Sequence, residues 1–271
     1  MTHQVITSLH SPHVERVKAL LGSRGKKLRR EESLFIADGL QSLRSALDPQ
    51  IKSAPRIEKL YLTPSGEGKL RDEFSSEMID VHEIIPVTDA VMAAMADTES
   101  PQGILSLCRY RPLTLEDIVN GSPARLAFFW QIQDPGNAGT AIRTADACGF
   151  NAVLFSEGSV DLYSPKVVRS TAGSLWNIPV VEDLPLAAIV DLADSGAFSV
   201  LAFDGSGSRQ LQEITPVKPT IAIFGNEARG LPSLPDSIEK VRIPMKGHAE
   251  SLNVASAAAI ALFHLGIAGS R

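Results

Sequence analysis

The chain predicts an α/β protein of two domains, and three observations carry that reading. Short apolar runs alternate with stretches of helical periodicity twice over, before and after a break rich in proline and glycine. Several later runs, FFWQI and IAIF among them, are apolar without polar alternation, as in a parallel sheet covered on both faces. The break, 111–125, holds Pro112, Gly121 and Pro123 and reads as a linker.

The first domain, 1–110, opens with a helix predicted over 12–28, where Val14, Val17, Leu20 and Leu21 recur at helical spacing between cations. A strand at 34–37 and an amphipathic helix at 40–47 follow. Alternation predicts a strand over 57–62, and 69–75 has a helical pattern. The domain closes with a strand at 81–87, a helix at 89–96 and a strand at 103–110. Beyond the linker, 126–271 forms the second domain. Its strands fall at 126–132, 152–155, 179–181, 199–203, 220–224 and 241–243, its helices at 138–148, 165–173, 186–194 and 252–265. The last helix is rich in alanine and suits either a buried core helix or a close-packed subunit contact.

Composition narrows the class. At 271 residues and 44% hydrophobic, the chain can bury a core in each domain. A net charge of -5 argues against a nucleic-acid partner, yet the total hides an asymmetry. Arg16, Lys18, Arg24, Lys26, Lys27, Arg29 and Arg30 follow one another with no carboxylate between them. A charge run is ordinarily a solvated helix face, but clustered cations are also what phosphate neutralisation needs. Lys26, Lys27, Arg29 and Arg30 are therefore the candidate nucleic-acid contacts within the basic leading helix, 12–30. Cys108 and Cys148 offer neither metal spacing nor a disulfide framework, so reduced thiols and no metal are expected. No stretch has signal-peptide or membrane-spanning character, which predicts a cytoplasmic protein without membrane contact.

Two strands end in polar, glycine-containing loops. Strand 220–224 runs into Gly225-Asn226-Glu227, and strand 241–243 runs through Pro244-Met245-Lys246-Gly247 to Ser251-Leu252-Asn253. Loops at the carboxyl ends of strands in an open α/β sheet are the usual ligand site. A third loop, Asp134-Pro135-Gly136-Asn137, enters a helix for which Asn137 is the expected N-cap, and Arg143 lies about two turns further on. Other motifs are weaker. Asp204 to Gln210 nearly matches a dinucleotide fingerprint but lacks its third glycine and reads as a surface turn. Gly66-Glu67-Gly68-Lys69 lacks the upstream glycine of a P-loop, and no GxSxG elbow is present.

DPGNAGTAIRTADACGF, FGNEARGLP and IPMKGHAESLNVASAAA, in this order, resemble the three motifs of the SpoU (TrmH) family of RNA ribose 2′-O-methyltransferases. The resemblance runs from about Leu126 to the end, and the N-terminal part resembles the small substrate-binding domain that many members carry. It implies an α/β chain with a C-terminal, trefoil-knotted SPOUT methyltransferase domain and a smaller N-terminal α/β substrate-binding domain. It also implies S-adenosyl-L-methionine as cofactor, held around Phe203, Gly225, Ile243, Met245 and Leu252. By the same route Asn137, Arg143, Glu227, Ser251 and Asn253 form the reaction centre. A homodimer follows too, often with a site completed by both protomers. Ribosomal RNA is the favoured substrate, with transfer RNA next.

Methylating a ribose hydroxyl needs in-line positioning and loss of a proton, so orientation and electrostatics must supply most of the gain. A guanidinium hardly deprotonates, which leaves Arg143 to grip a phosphate or to lower the hydroxyl's pKa. Glu227, Ser251 or an ordered water accepts the proton. A catalytically silent RNA-binding relative and a nucleotide-dependent oxidoreductase are the competing readings.

Overall fold

The structure, a computed structural model, describes residues 4–22, 24–48, 55–74, 83–216 and 218–268. The chain divides into two compact units, Met1–Arg111 with Tyr163–Asn177, and Pro112–Leu162 with Ile178–Arg271. Parts of the expected strand 81–87 and helix 69–75 lie outside the described residues.

The first unit is built on a mixed four-stranded sheet, β1 (Leu34–Asp38), β2 (Arg56–Leu62), β3 (Glu83–Pro86) and β4 (Ile104–Arg109), in the order β1-β4-β2-β3. Strands β1 and β2 run antiparallel to β4, and β3 runs parallel to β2. Helices α1 (Pro12–Leu21) and α5 (Asp89–Met95) bury Val14, Val17, Leu20, Val91 and Met92 against Tyr61, Ile85 and Leu105. The remaining helices of this part of the chain are α2 (Gly25–Glu32), α3 (Leu40–Ala46) and α4 (Pro64–Glu73). The single helix expected over 12–28 is thus two, α1 and α2. A Cβ at Gly25 would stand 2.5 Å from the Leu20 carbonyl oxygen, so the chain turns too tightly there for a continuous helix. Arg29, expected to face RNA, is 4% exposed and donates to the same Leu20 carbonyl, satisfying an orphan acceptor at the end of α1. Its guanidinium is spoken for inside the unit.

The second unit opens with α6 (Leu115–Val119), inside the stretch 111–125 expected to be a linker. Its Thr114–Asp117 capping box starts it, and Ile118 joins the core beside Leu126 and Phe128. Seven strands form the sheet: β5 (Arg125–Phe129), β6 (Ala152–Ser156), β7 (Val180–Leu184), β8 (Ser199–Phe203), β9 (Arg209–Gln210), β10 (Thr220–Phe224) and β11 (Glu239–Arg242). Their order is β7-β6-β5-β10-β8-β11-β9, and every pair is parallel. The two-residue β9 is too short for a periodicity to reveal. Helices α7 (Pro135–Ala147), α10 (Leu186–Asp194) and α11 (Val254–Ala268) belong to this unit. Between β6 and β7 the chain makes α8 (Pro165–Ser170) and α9 (Ser174–Asn177), which belong to the first unit. There Tyr163 stacks on Tyr110 at 3.7 Å, and Trp176 packs on Phe35.

Two features of this sheet set up the site. Phe155, Phe129, Phe224 and Phe203 stand in register on β6, β5, β10 and β8 and stack in a ladder with ring centroids 5.4, 5.1 and 5.0 Å apart. They make a rigid apolar layer at the carboxyl edge. In addition, β11 lies between β8 and β9, so the loop 204–208 that joins those two strands crosses it. The crossing is close: a Cβ on buried Gly207 would stand 2.7 Å from the Val241 carbonyl carbon.

Candidate active site

A cavity of about 590 Å³ opens at the carboxyl ends of β8, β10 and β11. Phe203 and Phe224, the end of the aromatic ladder, line it, as do the loops after the three strands and the start of α11. Phe203, Gly225, Ile243, Met245 and Leu252, the residues expected around the cofactor, all lie on its wall.

Each loop is held in its own way. After β10, Asn226 and Gly230 exchange backbone hydrogen bonds of 3.0 and 2.9 Å, and the Asn226 Oδ1 accepts from the amides of Ala228 and Arg229 at 3.0 Å each. A Cβ on Gly225 would come 2.5 Å from the Gly230 carbonyl carbon. Gly225, expected among the residues around the cofactor, is required first because the chain folds back on itself. Gly230 sits at φ +65°, a conformation that favours glycine. After β5, Gln131 adopts φ 49°, unusual for a side-chain-bearing residue. It serves as a hub: its backbone oxygen accepts from Asn226 Nδ2 at 2.7 Å, and its Oε1 accepts from Arg229 Nη2 at 2.9 Å.

The N-cap of α7 is Asp134, whose Oδ1 accepts from the Asn137 amide at 2.8 Å. This corrects the expectation that Asn137 caps the helix. The change matters, because it frees the Asn137 side chain. Its Nδ2 donates to Glu227 Oε1 at 3.2 Å, and its Oδ1 accepts from Asn253 Nδ2 at 3.1 Å. Asn253 in turn caps α11, its Oδ1 accepting from the amides of Ala255 and Ser256 at 2.9 and 3.3 Å. Glu227 and Asn253 on the cavity wall and Asn137 in the first turn of α7 therefore form one hydrogen-bonded chain at the cavity's edge. The amides of Gln133 and Asp134, at 3.4 Å each, add to the grip on the Glu227 carboxylate.

Ser251 is exposed on the cavity wall. Arg143 is different: it is exposed on α7, off that wall and outside the hydrogen-bonded chain. Lys26 and Lys27 stand at the surface on α2, and Lys27 lies 3.6 Å from Glu31. Asn226, Gln131 and Asp134 were missed as site residues. The Asp-Pro step at 134–135 is a readable N-cap signal. The strained Gln131 has no counterpart in sequence pattern.

The donor set suits a nucleoside-bearing cation. The volume is that of an ordinary small-molecule cleft. Phe203, Phe224 and Ile243 provide apolar wall for a flat ring, the loop backbones provide hydrogen bonds, and the charged side chains on the wall are Asp204, Glu227 and Glu250. The Ser206 hydroxyl and amide, at 2.6 and 2.7 Å, hold the Asp204 carboxyl below the usual carboxylate range. Among the described residues no cluster of potential metal ligands occurs, and no helix is long and apolar enough to cross a membrane.

Comparison with known proteins agrees with this geometry. The SpoU rRNA Methylase family matches residues 125–263, and the MRM3-like substrate binding domain matches residues 14–106. A Bacillus subtilis protein named 23S rRNA (guanosine(2553)-2'-O)-methyltransferase RlmP is 32% identical over 89% of this chain and 91% of its own length. A Streptomyces viridochromogenes protein named 23S rRNA (uridine(2479)-2'-O)-methyltransferase is 28% identical over 91% of this chain and 86% of its own. The crystal structure of an AdoMet-bound rRNA methyltransferase from Sinorhizobium meliloti superposes with a TM-score of 0.79 at 29% identity, covering 96% of each chain.

Proposed function

Because the chain belongs to the SpoU rRNA methylase family, we propose that it transfers the methyl group of S-adenosylmethionine to a ribose 2′-hydroxyl of ribosomal RNA. The observation that carries this reading is the chain Glu227–Asn137–Asn253 at the mouth of the 590 Å³ cavity. It joins all three sequence motifs at one place. Bound in that cavity, S-adenosylmethionine supplies an electrophilic methyl on a sulfonium. Phe203, Gly225, Ile243, Met245 and Leu252 bind it, chiefly through backbone and apolar wall.

The rim residues do the rest. Asn137, fixed on both sides by Glu227 and Asn253, orients the ribose against the cavity mouth. Glu227 takes the hydroxyl proton, because its carboxylate is aimed there by long, weak bonds that leave accepting capacity. Ser251 contributes a hydroxyl at the same wall. Arg143, exposed on α7, grips an RNA phosphate with its planar guanidinium.

The first unit binds RNA through Lys26, Lys27 and Arg30. The chain acts as a cytoplasmic homodimer, supported by the outer face of α11. There Ile260, Phe263 and Ile267 recur at helical spacing with exposures of 44%, 60% and 56%, an apolar stripe that a second copy would cover. The crossing of β11 by the loop 204–208 supports the trefoil knot that the family resemblance implies.

The test is to incubate the protein with labelled methyl donor and total cellular RNA and to fractionate the product. Label in the large ribosomal RNA is expected. Label confined to transfer RNA would overturn the substrate, and no label with a bound donor would favour a silent RNA-binding relative.

A further inference from the structure

Among the described residues the cavity wall carries three carboxylates, from Asp204, Glu227 and Glu250, and no lysine, arginine or histidine. They are not equivalent. Glu227 is engaged by the Asn137 side chain and by the amides of Gln133 and Asp134. Glu250 belongs to an exposed stretch, where water screens its charge. Asp204 is half-buried in the loop that crosses β11, and Ser206 fixes its Oδ1 with two short hydrogen bonds of 2.6 and 2.7 Å. Its own amide donates to the Val241 carbonyl at 3.0 Å, so its backbone is fixed as well. Lys240 is the cation whose field reaches it, and that effect is the smallest of those acting on its carboxyl.

Methyl transfer changes the charge of the small ligand. The carbon–sulfur bond breaks with its electron pair left on sulfur, the ribose oxygen forms the new bond to carbon, and the hydroxyl proton leaves to a base. The donor carries one methyl group and one positive charge more than the thioether product and is otherwise the same molecule. A fixed carboxylate on the wall, only partly screened by solvent, can tell them apart. We propose that Asp204 is the specificity-determining residue by which the cavity favours the cationic methyl donor over its demethylated product. The proposal rests on the assignment of the cavity to S-adenosylmethionine. Its consequence is relief of product inhibition, since the spent cofactor loses the attraction that held its precursor.

The test is calorimetric titration of the whole protein and two variants, Asp204→Asn and Ser206→Ala, with three ligands. These are S-adenosylmethionine, S-adenosylhomocysteine, and an aza analogue in which a protonated amine stands in place of the sulfonium. Asn at 204 can still accept both Ser206 bonds, and thermal melting checks that each variant folds. Asp204→Asn should lower the preference for both cationic ligands over the thioether by roughly three- to tenfold, the range left after screening at a half-exposed wall. Ser206→Ala keeps the carboxylate and should hold the preference within about twofold. Equal weakening of all three ligands would overturn the proposal, placing Asp204 on a group that donor and product share. An unchanged preference would overturn it as well. Binding of none of the three by the unaltered protein would bring down the cavity assignment itself, and the proposal with it.

Discussion

Asn253 and Asn137 lie 116 positions apart in the chain, and the Asn253 amide nitrogen donates to the Asn137 side-chain oxygen across 3.1 Å. Asn137 passes the connection on to Glu227 at 3.2 Å. Two helix starts and a strand end are thereby tied at the cavity mouth, each through a side chain that a wrong register would misplace.

Asn137→Ala should lower methyl transfer by roughly 10- to 100-fold, because the tie orients reacting groups. It should cost only about 1 kcal/mol of stability, since the rim is solvated. Asn137→Asp should be the worse enzyme of the two, as it sets a second carboxylate against Glu227. Single-turnover rates and thermal melting measure both. An alanine variant with full rate would remove Asn137 from the orienting role.

The basic run should separate into two behaviours. Arg29→Met leaves the Leu20 carbonyl without its donor and should destabilise the first unit by about 2–3 kcal/mol, with the salt dependence of RNA binding unchanged. Replacing Lys26 and Lys27 with alanine should leave stability within about 0.5 kcal/mol. It should reduce the slope of log affinity against log salt by roughly 0.7–0.9 for each phosphate that is no longer neutralised. Denaturant unfolding and RNA titration over a salt series distinguish them, and a changed slope for Arg29→Met alone would reverse the assignment.

A methyl group at Gly225 has to displace the backbone at Gly230, 2.5 Å away. Gly225→Ala should therefore destabilise the second unit by about 1–3 kcal/mol and weaken cofactor binding at the same time. Gly68 in α4, where a Cβ would meet nothing within 4 Å, is the control: Gly68→Ala should stabilise by about 0.5–1 kcal/mol. Calorimetry and chemical denaturation of the two variants make the comparison.

Burial raises the Asp38 carboxyl above its ordinary 3.8, against opposing contributions from the Thr98 hydrogen bond and the Arg169 charge. A raised folded-state pKa on an acid means that ionisation opposes folding. The penalty is absent below 3.8, grows as pH rises through the folded pKa, and is complete at neutrality. Asp38→Asn should thus be more stable than the unaltered protein at neutral pH, with the gain shrinking towards pH values below 3.8. Urea midpoints across that range measure it. A gain independent of pH would point to packing instead.

Much of this was legible in the residues. Strands β8 and β10 and helix α10 lie where apolar runs and helical spacing put them. The five residues expected around the cofactor share one wall because β10, β8 and β11 are neighbouring parallel strands whose carboxyl ends lie at one edge of the sheet. What escaped depends on contacts distant in sequence. Arg29 looks like any cation in a basic run until the end of α1 turns back towards it. Gly225 reveals its neighbour at Gly230 only once the loop is closed. The strain at Gln131 exists because Asn226 and Arg229 bind it from another strand end. The Asp134 cap is readable in the Asp-Pro step, three residues before the Asn137 that the sequence reading favours. Residues 163–177 carry a helical pattern, but no local signal says that they pack with the first unit rather than with the strands around them.

The central claim is the position of the methyl group: the oxygen of a ribose, in ribosomal RNA. A 2′-O-methyl group removes the nucleophile that alkali needs to cleave the adjacent phosphodiester, whereas a methyl group on a base leaves that cleavage intact. Alkaline hydrolysis of ribosomal RNA methylated by this protein with labelled donor is therefore the most direct measurement. Label recovered in one alkali-resistant dinucleotide is the predicted result. Label released entirely as mononucleotide would contradict it.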